Sequence, residues 1–288
     1  MLPFYAPLIA PIFRRNALYY GEMDAWAKAL GISKRRMLLL QHLYELTHLK
    51  LSGIAANVIG CTAGVKWFDD LGMVHVRTLD WPLESIGQAT RLFRFRRGQR
   101  EFVTVGIAGF VGVLSGMVPG AYSVTINWAP AAGRPRLKNI GPAYLLRKTL
   151  DECDGYEAAV EMLSRTPLST SVIYTVCGAE RGQAGVIERT QNECSVARIG
   201  ADGVVSATNH FISPQLAAGN LGRDHEYISR STERRNEMSR SLRELSKAGS
   251  AEQLGAILAG VENEFTCHKI VFVPATGEAR VWPVFIHA

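Results

Sequence analysis

A cysteine that opens a β-like stretch, with an arginine and an aspartate at set distances behind it, is where the residue types of this chain suggest chemistry. The segment Gly60-Cys61-Thr62-Ala63-Gly64-Val65 is followed by Arg77-Thr78-Leu79-Asp80-Trp81, so Arg77 lies 77 − 61 = 16 and Asp80 lies 80 − 61 = 19 residues beyond Cys61. A thiol attacks carbon as its thiolate, and an unperturbed pKa of about 8.5 leaves it mostly protonated at neutral pH. On a strand reading, Val74, Val76 and Thr78 share one face while His75, Arg77 and Leu79 share the other. A hairpin closing at Leu71-Gly72 would return Arg77 and Asp80 towards Cys61, where a guanidinium could hold a thiolate and a carboxylate an amino group. Plainer readings exist. A buried cysteine is often a small apolar packing group, and Arg77 with Asp80 can be a cross-strand ion pair. His75, His210 and Cys267-His268 invite a Cys-His dyad, but adjacency in sequence does not create dyad geometry.

Further motifs follow in order. They are Gly109-Phe110-Val111-Gly112-Val113-Leu114-Ser115-Gly116-Met117 with Val124-Thr125-Ile126-Asn127, then Gly178-Ala179-Glu180 leading to Gly185-Val186-Ile187-Glu188-Arg189. Ala207-Thr208-Asn209-His210-Phe211 and Ser231-Thr232-Glu233-Arg234-Arg235 come later, and Tyr44-Glu45-Leu46 stands upstream of the cysteine. With the Cys, Arg and Asp spacing, this series resembles the amino-terminal nucleophile (Ntn) cysteine hydrolases. That superfamily includes acid ceramidase, N-acylethanolamine acid amidase, the choloylglycine (bile salt) and penicillin V hydrolases and the penicillin acyltransferases. The resemblance spans roughly residues 40–240, and Tyr44-Glu45-Leu46 inclines it towards the acid ceramidase and N-acylethanolamine amidase branch.

The resemblance implies an α+β class fold, an αββα sandwich of two antiparallel sheets between helical layers. It implies that the chain cuts its own Gly60–Cys61 bond, dividing a helical propeptide, residues 1–60, from a catalytic domain, residues 61–288. The physical sense is that an amino-terminal cysteine brings its own base, since a freed α-amine has a reference pKa of about 7.7–8.0 and sits beside the sulfur. Gly60 suits a closely approached scissile peptide. Arg77 would favour the thiolate by opposite charge and Asp80 would orient the α-amine. The resemblance also implies Asn209 as donor to the tetrahedral oxyanion, with Asn127 a lesser candidate that could simply end a strand. It implies Arg234 as the late active-site arginine, with Arg235 left open. The reaction implied is hydrolysis of linear carbon–nitrogen amides through an acyl-cysteine, with no cofactor and no metal. The preferred substrates are small N-acyl lipid amides such as ceramides or N-acylethanolamines. Alternatives are acyl transfer, cleavage of N-acyl amino acids, β-lactam side chains or bile salts, and non-catalytic binding by an uncut chain.

The elements that must position these residues alternate in blocks. Residues 12–50 read as helical, with Asp24 ahead of one helix and Ser33 capping another that runs through Leu43. Strands are expected at 63–67, 74–79, 92–96, 102–108, 112–117 and 123–128. Two helices broken near Asp154-Gly155 come next, then strands at 171–177, 185–190, 195–199 and 203–208. A helical stretch over 224–262 breaks near Gly249-Ser250, and strands at 269–273 and 279–285 close the chain. Helices in blocks against strands in blocks point to antiparallel sheets covered by helices.

With 47% hydrophobic and 20% charged residues the chain is of globular composition, not a disordered one. No pair among Cys61, Cys153, Cys177, Cys194 and Cys267 has CxxC spacing, which disfavours a zinc site, and the odd count suggests reduced thiols. The net charge of +6 and the run Arg91-Leu92-Phe93-Arg94-Phe95-Arg96-Arg97 suit a solvated strand face or lipid phosphate; nucleic acid is not the expected partner. No apolar stretch approaches the ~20 residues of a membrane-spanning helix. The start, MLPFYAPLIAPIF, carries Pro3, Pro7 and Pro11 without a basic n-region. It reads as an arm touching a surface or membrane, and a cytoplasmic location is slightly favoured. The helices ahead of Cys61 are apolar enough to stay bound after the cut.

Overall fold

The computed structural model describes residues 18–48, 60–81, 85–129, 134–220 and 230–284. The apolar arm, the segment 49–59 that leads into Gly60, and residues 224–229 of the expected late helix lie outside them. Three helices come first: α1 (Tyr20–Ala29), α2 (Lys34–Gln41) and α3 (Leu43–His48). Strands β1 (Gly60–Phe68) and β2 (Gly72–Asp80) follow, then α4 (Ser85–Ala89) and strands β3 (Thr90–Arg97), β4 (Arg100–Ile107), β5 (Ser115–Val118) and β6 (Tyr122–Asn127). Helices α5 (Pro142–Glu152) and α6 (Tyr156–Arg165) precede β7 (Val172–Gly178), β8 (Ala184–Arg189), β9 (Cys194–Arg198) and β10 (Val204–Ala207). Helices α7 (Pro214–Ala217), α8 (Ser231–Glu244) and α9 (Ala251–Ile257) lead to the closing hairpin of β11 (Thr266–Val273) and β12 (Glu278–Pro283).

The strands form a five-stranded sheet, β10-β1-β2-β11-β12, and a seven-stranded sheet, β3-β4-β5-β6-β7-β8-β9. Every strand pairing in both is antiparallel. Between them lie Val65, Met73, Ile173 and Val205 on one side and Val103, Met117, Ile270 and Phe272 on the other. The outer face of the small sheet, Phe68, Val74, Val76 and Val271, is covered by Met238 and Leu242 of α8 and Leu254 of α9. The large sheet is covered by α5 and α6, whose Leu146, Leu150, Val160 and Leu163 meet Tyr122, Val124, Tyr174 and Val176. Two sheets between helical layers are the αββα sandwich expected from the sequence. Its cause is the period-2 alternation, which gives each strand one face for the other sheet and one for a helix. Gly64 lets α8 approach β1, since a Cβ there would stand 2.6 Å from Leu242 and 2.9 Å from Met238.

Three local expectations change. Helix α1 begins at Tyr20, not after Asp24; Asp24 lies inside it and pairs with Lys28 at 3.0 Å and Lys34 at 2.6 Å, which outweighs its preference for a cap. The helix that Ser33 caps, through a bond from Arg36 N–H at 3.2 Å, ends at Gln41 and α3 restarts at Leu43. The strand expected over 112–117 is only Ser115–Val118. Before it, Val111 N–H donates to Gln41 Oε1 at 2.8 Å and Val113 N–H to Ala143 O at 3.0 Å, so this backbone is bonded to helices, not to a sheet. The arginine-rich run is the edge strand β3, where Arg94 and Arg96 both pair with Glu101.

Candidate active site

Strands β1 and β2 pair from Gly60 opposite Asp80 to Phe68 opposite Gly72, which sets Cys61 opposite Leu79 and Ala63 opposite Arg77. Alternation then sorts the side chains. Cys61, Arg77 and Leu79 face the large sheet, whereas Gly60, Thr62 and Asp80 face α8. Arg77, 1% exposed, is a fully buried cation. Its Nη2 donates to Cys61 Sγ at 3.3 Å and to Ile126 O at 2.9 Å, and its Nη1 donates to Ser115 Oγ at 2.5 Å. Two strands of the other sheet thus aim the guanidinium at the sulfur.

The backbone of Cys61 is held as closely as its side chain. Its N–H donates to Asn209 Oδ1 at 2.9 Å, and its carbonyl accepts from Arg234 Nη1 at 2.8 Å and Asn127 Nδ2 at 3.2 Å. Arg234 projects from the first turn of α8 and is the hub. It also donates to Thr62 Oγ1 at 2.6 Å and to Asn209 Oδ1 at 2.8 Å, and it lies 3.6 Å from Asp80 Oδ2. Arg235 turns to β10, where its Nε donates to Ser206 O at 3.3 Å, so Arg234 is the arginine at the cysteine.

The six residues singled out in the sequence therefore gather around the Gly60–Cys61 pair, but three stand in postures the sequence did not suggest. Asn209 presents its oxygen to Cys61, because Cys61 N–H and Arg234 can only donate. One of its amide protons goes to Trp128 O at 2.7 Å. Asn127 gives one bond to Cys61 O and one to Ala207 O at 3.0 Å, so both its protons are engaged in the uncut chain. Asp80 lies on the α8 side, against Gly60, and not on the side of the sulfur. Its carboxyl is fully buried, accepting from Thr266 Oγ1 at 2.8 Å and Asn263 Nδ2 at 3.0 Å. Burial pushes this carboxyl up from its ordinary value, while Arg234, Thr266, Asn263 and Arg77 pull it down.

Ser115, Thr62, Trp128, Asn263 and Thr266 escaped the sequence reading because each acts through another residue of the site and leaves no spacing of its own. The histidines are occupied elsewhere. His75 bonds Ser123 at 2.9 Å and Thr125 at 3.1 Å, and burial, then Arg77, lowers its pKa to about 3. His210 Nδ1 bonds Ser231 Oγ at 2.7 Å, and His268 Nδ1 bonds Thr90 Oγ1 at 3.0 Å.

Two cavities lie near this cluster. An apolar one of about 220 Å³ lies between the amino-terminal helices and the body, lined by Leu40, Leu43, Tyr44, Trp81, Ile86 and Leu114. Tyr44, Trp81, Ile86 and Leu114 belong to the same packed cluster as Cys61. A polar one of about 370 Å³ opens beside Gly60, Arg234, Asn263 and Phe265. Gly60 itself has no room for a side chain: a Cβ would stand 2.8 Å from Asp80 Oδ2 and 3.4 Å from Arg234 Nη2. Gly60→Val is accordingly expected to displace Asp80 and slow any cleavage at Cys61 by roughly 100-fold, since about 1 Å of misplacement has that effect. A time course of intact mass checks this, and an unchanged rate would show that the fit at Gly60 does not matter.

The family model described as acyl-coenzyme A:6-aminopenicillanic acid acyl-transferase matches residues 74–271, which is 271 − 74 + 1 = 198 of the 288 residues. The chain belongs to that family. The match takes in Arg77, Asp80, Asn127, Asn209 and Arg234 and starts downstream of Cys61. Among curated proteins this acyl-transferase family member is similar to the N-acylethanolamine-hydrolyzing acid amidase of Oryctolagus cuniculus, 31% identical over 183 residues. That alignment covers 60% of this chain and 48% of the amidase, so the chain spans about half the length of that relative. Among solved structures it resembles a Caenorhabditis elegans N-acylethanolamine-hydrolyzing acid amidase ortholog, with a TM-score of 0.62 at 22% identity over 78% of this chain and 100% of that one. It also resembles a mutant of conjugated bile acid hydrolase from Clostridium perfringens, with a TM-score of 0.52 at 11% identity over 77% and 89% of the two chains. The fold is that of the Ntn hydrolases, shared with both solved structures; in sequence the chain is also similar to an acid ceramidase of Balaenoptera acutorostrata scammoni, 28% identical over 158 residues, 45% of this chain and 39% of that one. No helix among the described residues is long and apolar enough to cross a membrane.

Proposed function

We propose that this chain is a self-processing cysteine amidase that hydrolyses linear N-acyl amides, with N-acyl lipids the preferred class. The observation that carries the reading is that Cys61 is held at both ends: Arg77 reaches its sulfur at 3.3 Å and Asn209 its nitrogen at 2.9 Å. In the processing step Cys61 Sγ attacks the Gly60 carbonyl carbon and the bond to Cys61 N breaks as that nitrogen takes a proton. Water then hydrolyses the Gly60 thioester, releasing a carboxylate at Gly60, a thiol and a free α-amine. The mature chain of 288 − 60 = 228 residues begins at Cys61. In turnover the α-amine takes the thiol proton as sulfur attacks the substrate carbonyl, then passes it to the leaving amine. Water hydrolyses the acyl-cysteine that remains. Arg77 faces the sulfur while it carries charge. Asn209, through its second amide proton, supports the oxyanion, while Asn127 and Arg234 keep Cys61 in place.

The apolar cavity against Tyr44 and Trp81 is the place for the acyl chain, which is what favours lipid amides. Leu43→Trp is expected to fill part of it and lower kcat/KM for long-chain relative to short-chain amides by ~10-fold. A panel of N-acyl amides of graded length reads this out, and equal losses at all lengths would place the acyl chain elsewhere. Part of the cavity wall comes from residues ahead of the cut, so the reading includes a propeptide that stays docked. Supporting contacts are Tyr19 to Asp151 at 2.6 Å, Arg147 to Glu22 at 3.0 Å, and Gln41 Nε2 to Gly109 O at 2.5 Å.

Intact-mass measurement of the purified chain tests the central claim. A fragment starting at Cys61, with fatty acid release from N-acyl amides, supports it. A chain that stays whole through long incubation at acidic and neutral pH, with Cys61 inert to thiol reagents, sinks it in favour of a binding protein. Acyl transfer is the second reading, favoured by the description of the matched family. It is told apart by whether an added amine captures the acyl group.

A further inference from the structure

We propose that Asn263 and Thr266 are positioning residues that keep the Asp80 carboxyl ionised against the Gly60–Cys61 bond; this rests on the reading of that bond as the one the chain cuts. Asn263 lies on the turn that enters β11 and Thr266 is the first residue of that strand. Thr266 N–H donates to Asn263 O at 3.1 Å, Asn263 N–H donates to Thr266 Oγ1 at 3.0 Å, and Phe265 N–H donates to Asn263 Oδ1 at 2.8 Å. These bonds decide what each side chain can offer. The Asn263 oxygen is taken by Phe265, so its Nδ2 must face Asp80. The Thr266 oxygen accepts from Asn263, so its one proton goes to Asp80. Trp81 N–H, next to Asp80 in sequence, donates to Phe265 O at 2.8 Å and ties β2 to the same turn.

Asp80 Oδ1 and Oδ2 thus each meet a donor whose acceptor atom is already engaged. Such a cage sets one donor on each carboxylate oxygen, and hydrogen bonds donated to the charged form favour the ionised carboxylate. That preference works against burial. Of the other charged or titratable groups, Arg234 from α8 lies against Asp80, while Arg77, on the opposite face of the same strand, and Cys267 from β11 are coupled to it by charge. Glu262 and Glu264 flank Asn263 on the rim of the polar cavity, and across from Asp80 on β1 is Gly60, followed by the amine that cleavage creates. An ionised Asp80 supplies that amine with a counter-charge next to Arg234 and keeps the guanidinium directed at Cys61 O.

The test begins with the full uncut chain carrying Cys61→Ala and carboxyl-labelled aspartate, in which the Asp80 resonance is assigned by its loss in Asp80→Asn. Carbon NMR titration is expected to show the Asp80 pKa rising by about 1–2 pH units in Thr266→Val and in Asn263→Leu, as loss of a charge-assisted hydrogen bond implies. Thr266→Ser should restore it. Thr266→Ala replaces the valine variant should that one not fold. In the chain that keeps Cys61, the acid limb of the self-cleavage rate should move to higher pH by the same amount. An Asp80 titration unchanged in both folded variants, or a serine variant that behaves like valine, overturns the proposal. If the titration shifts as expected but the unaltered chain never yields a fragment starting at Cys61, the cage stands and the proposed function is what fails.

Discussion

Cys61→Ala is expected to leave the chain whole and without amidase turnover. The sulfur is the atom that attacks in both steps of the proposed chemistry, and no other described thiol can stand in for it. Cys267, the neighbour on β11, is pushed up to about 12 by burial and donates to Trp81 O at 3.4 Å. Cys153 and Cys177 are also buried with raised values, and Cys194 lies on the far edge strand β9 opposite Arg189. Removing the nucleophile of a hydrolase lowers kcat by about a million-fold, which here means loss of detectable activity. The fold should survive, since one buried sulfur is lost while the bonds to Cys61 N–H and carbonyl oxygen remain. Intact mass and fatty acid release, with a melting curve as control, check both parts. Turnover that persists in the alanine variant would remove Cys61 from the mechanism.

Arg234→Met should lose self-cleavage and also destabilise the chain by about 3–5 kcal/mol, the range for stripping one partner from a buried charge pair. The reason is the number of groups that this one guanidinium serves. Cys61 O, Thr62 Oγ1 and Asn209 Oδ1 lose a donor, and Asp80 loses the cation 3.6 Å away. Arg234→Lys should recover part of the stability and little of the cleavage, because an ammonium cannot span the four positions of the fork. The loss should depend on pH. Burial already raises the Asp80 carboxyl, and removing Arg234 takes away the largest opposing influence, so the folded variant holds this proton above the pH at which the unfolded chain releases it. Where the folded state binds more protons than the unfolded state, stability falls as pH rises. The variant should therefore melt closer to the unaltered protein at mildly acidic pH than at neutral pH. A deficit that does not change with pH would show that Asp80 is not coupled to Arg234.

How much of this was legible without coordinates follows the range over which each interaction acts. The hairpin of β1 and β2 could be read because period-2 alternation and a turn at Leu71-Gly72 are local properties, and they alone put Arg77 on the face of Cys61. The same parity places Asp80 on the opposite face, a consequence open to view in the sequence but hidden by the attraction of pairing a carboxylate with an amine. Asn209 and Arg234 were recognisable only through motif resemblance. Their distances from Cys61 along the chain, 209 − 61 = 148 and 234 − 61 = 173 residues, have no periodicity to exploit.

Residue types, the block order of helices and strands, and the Cys61, Arg77, Asp80 spacing are what the sequence by itself determined, because propensity and alternation depend on neighbours a few positions apart. The tertiary structure decided the rest. It chose Arg234 over Arg235, since only one of two adjacent helical side chains can point at β1. It turned the oxygen of Asn209 towards Cys61, since an amide's orientation depends on which donors surround it. It brought Asn263 and Thr266 to Asp80 across 183 and 186 residues, since β11 pairs with β2 in a register that no local pattern encodes.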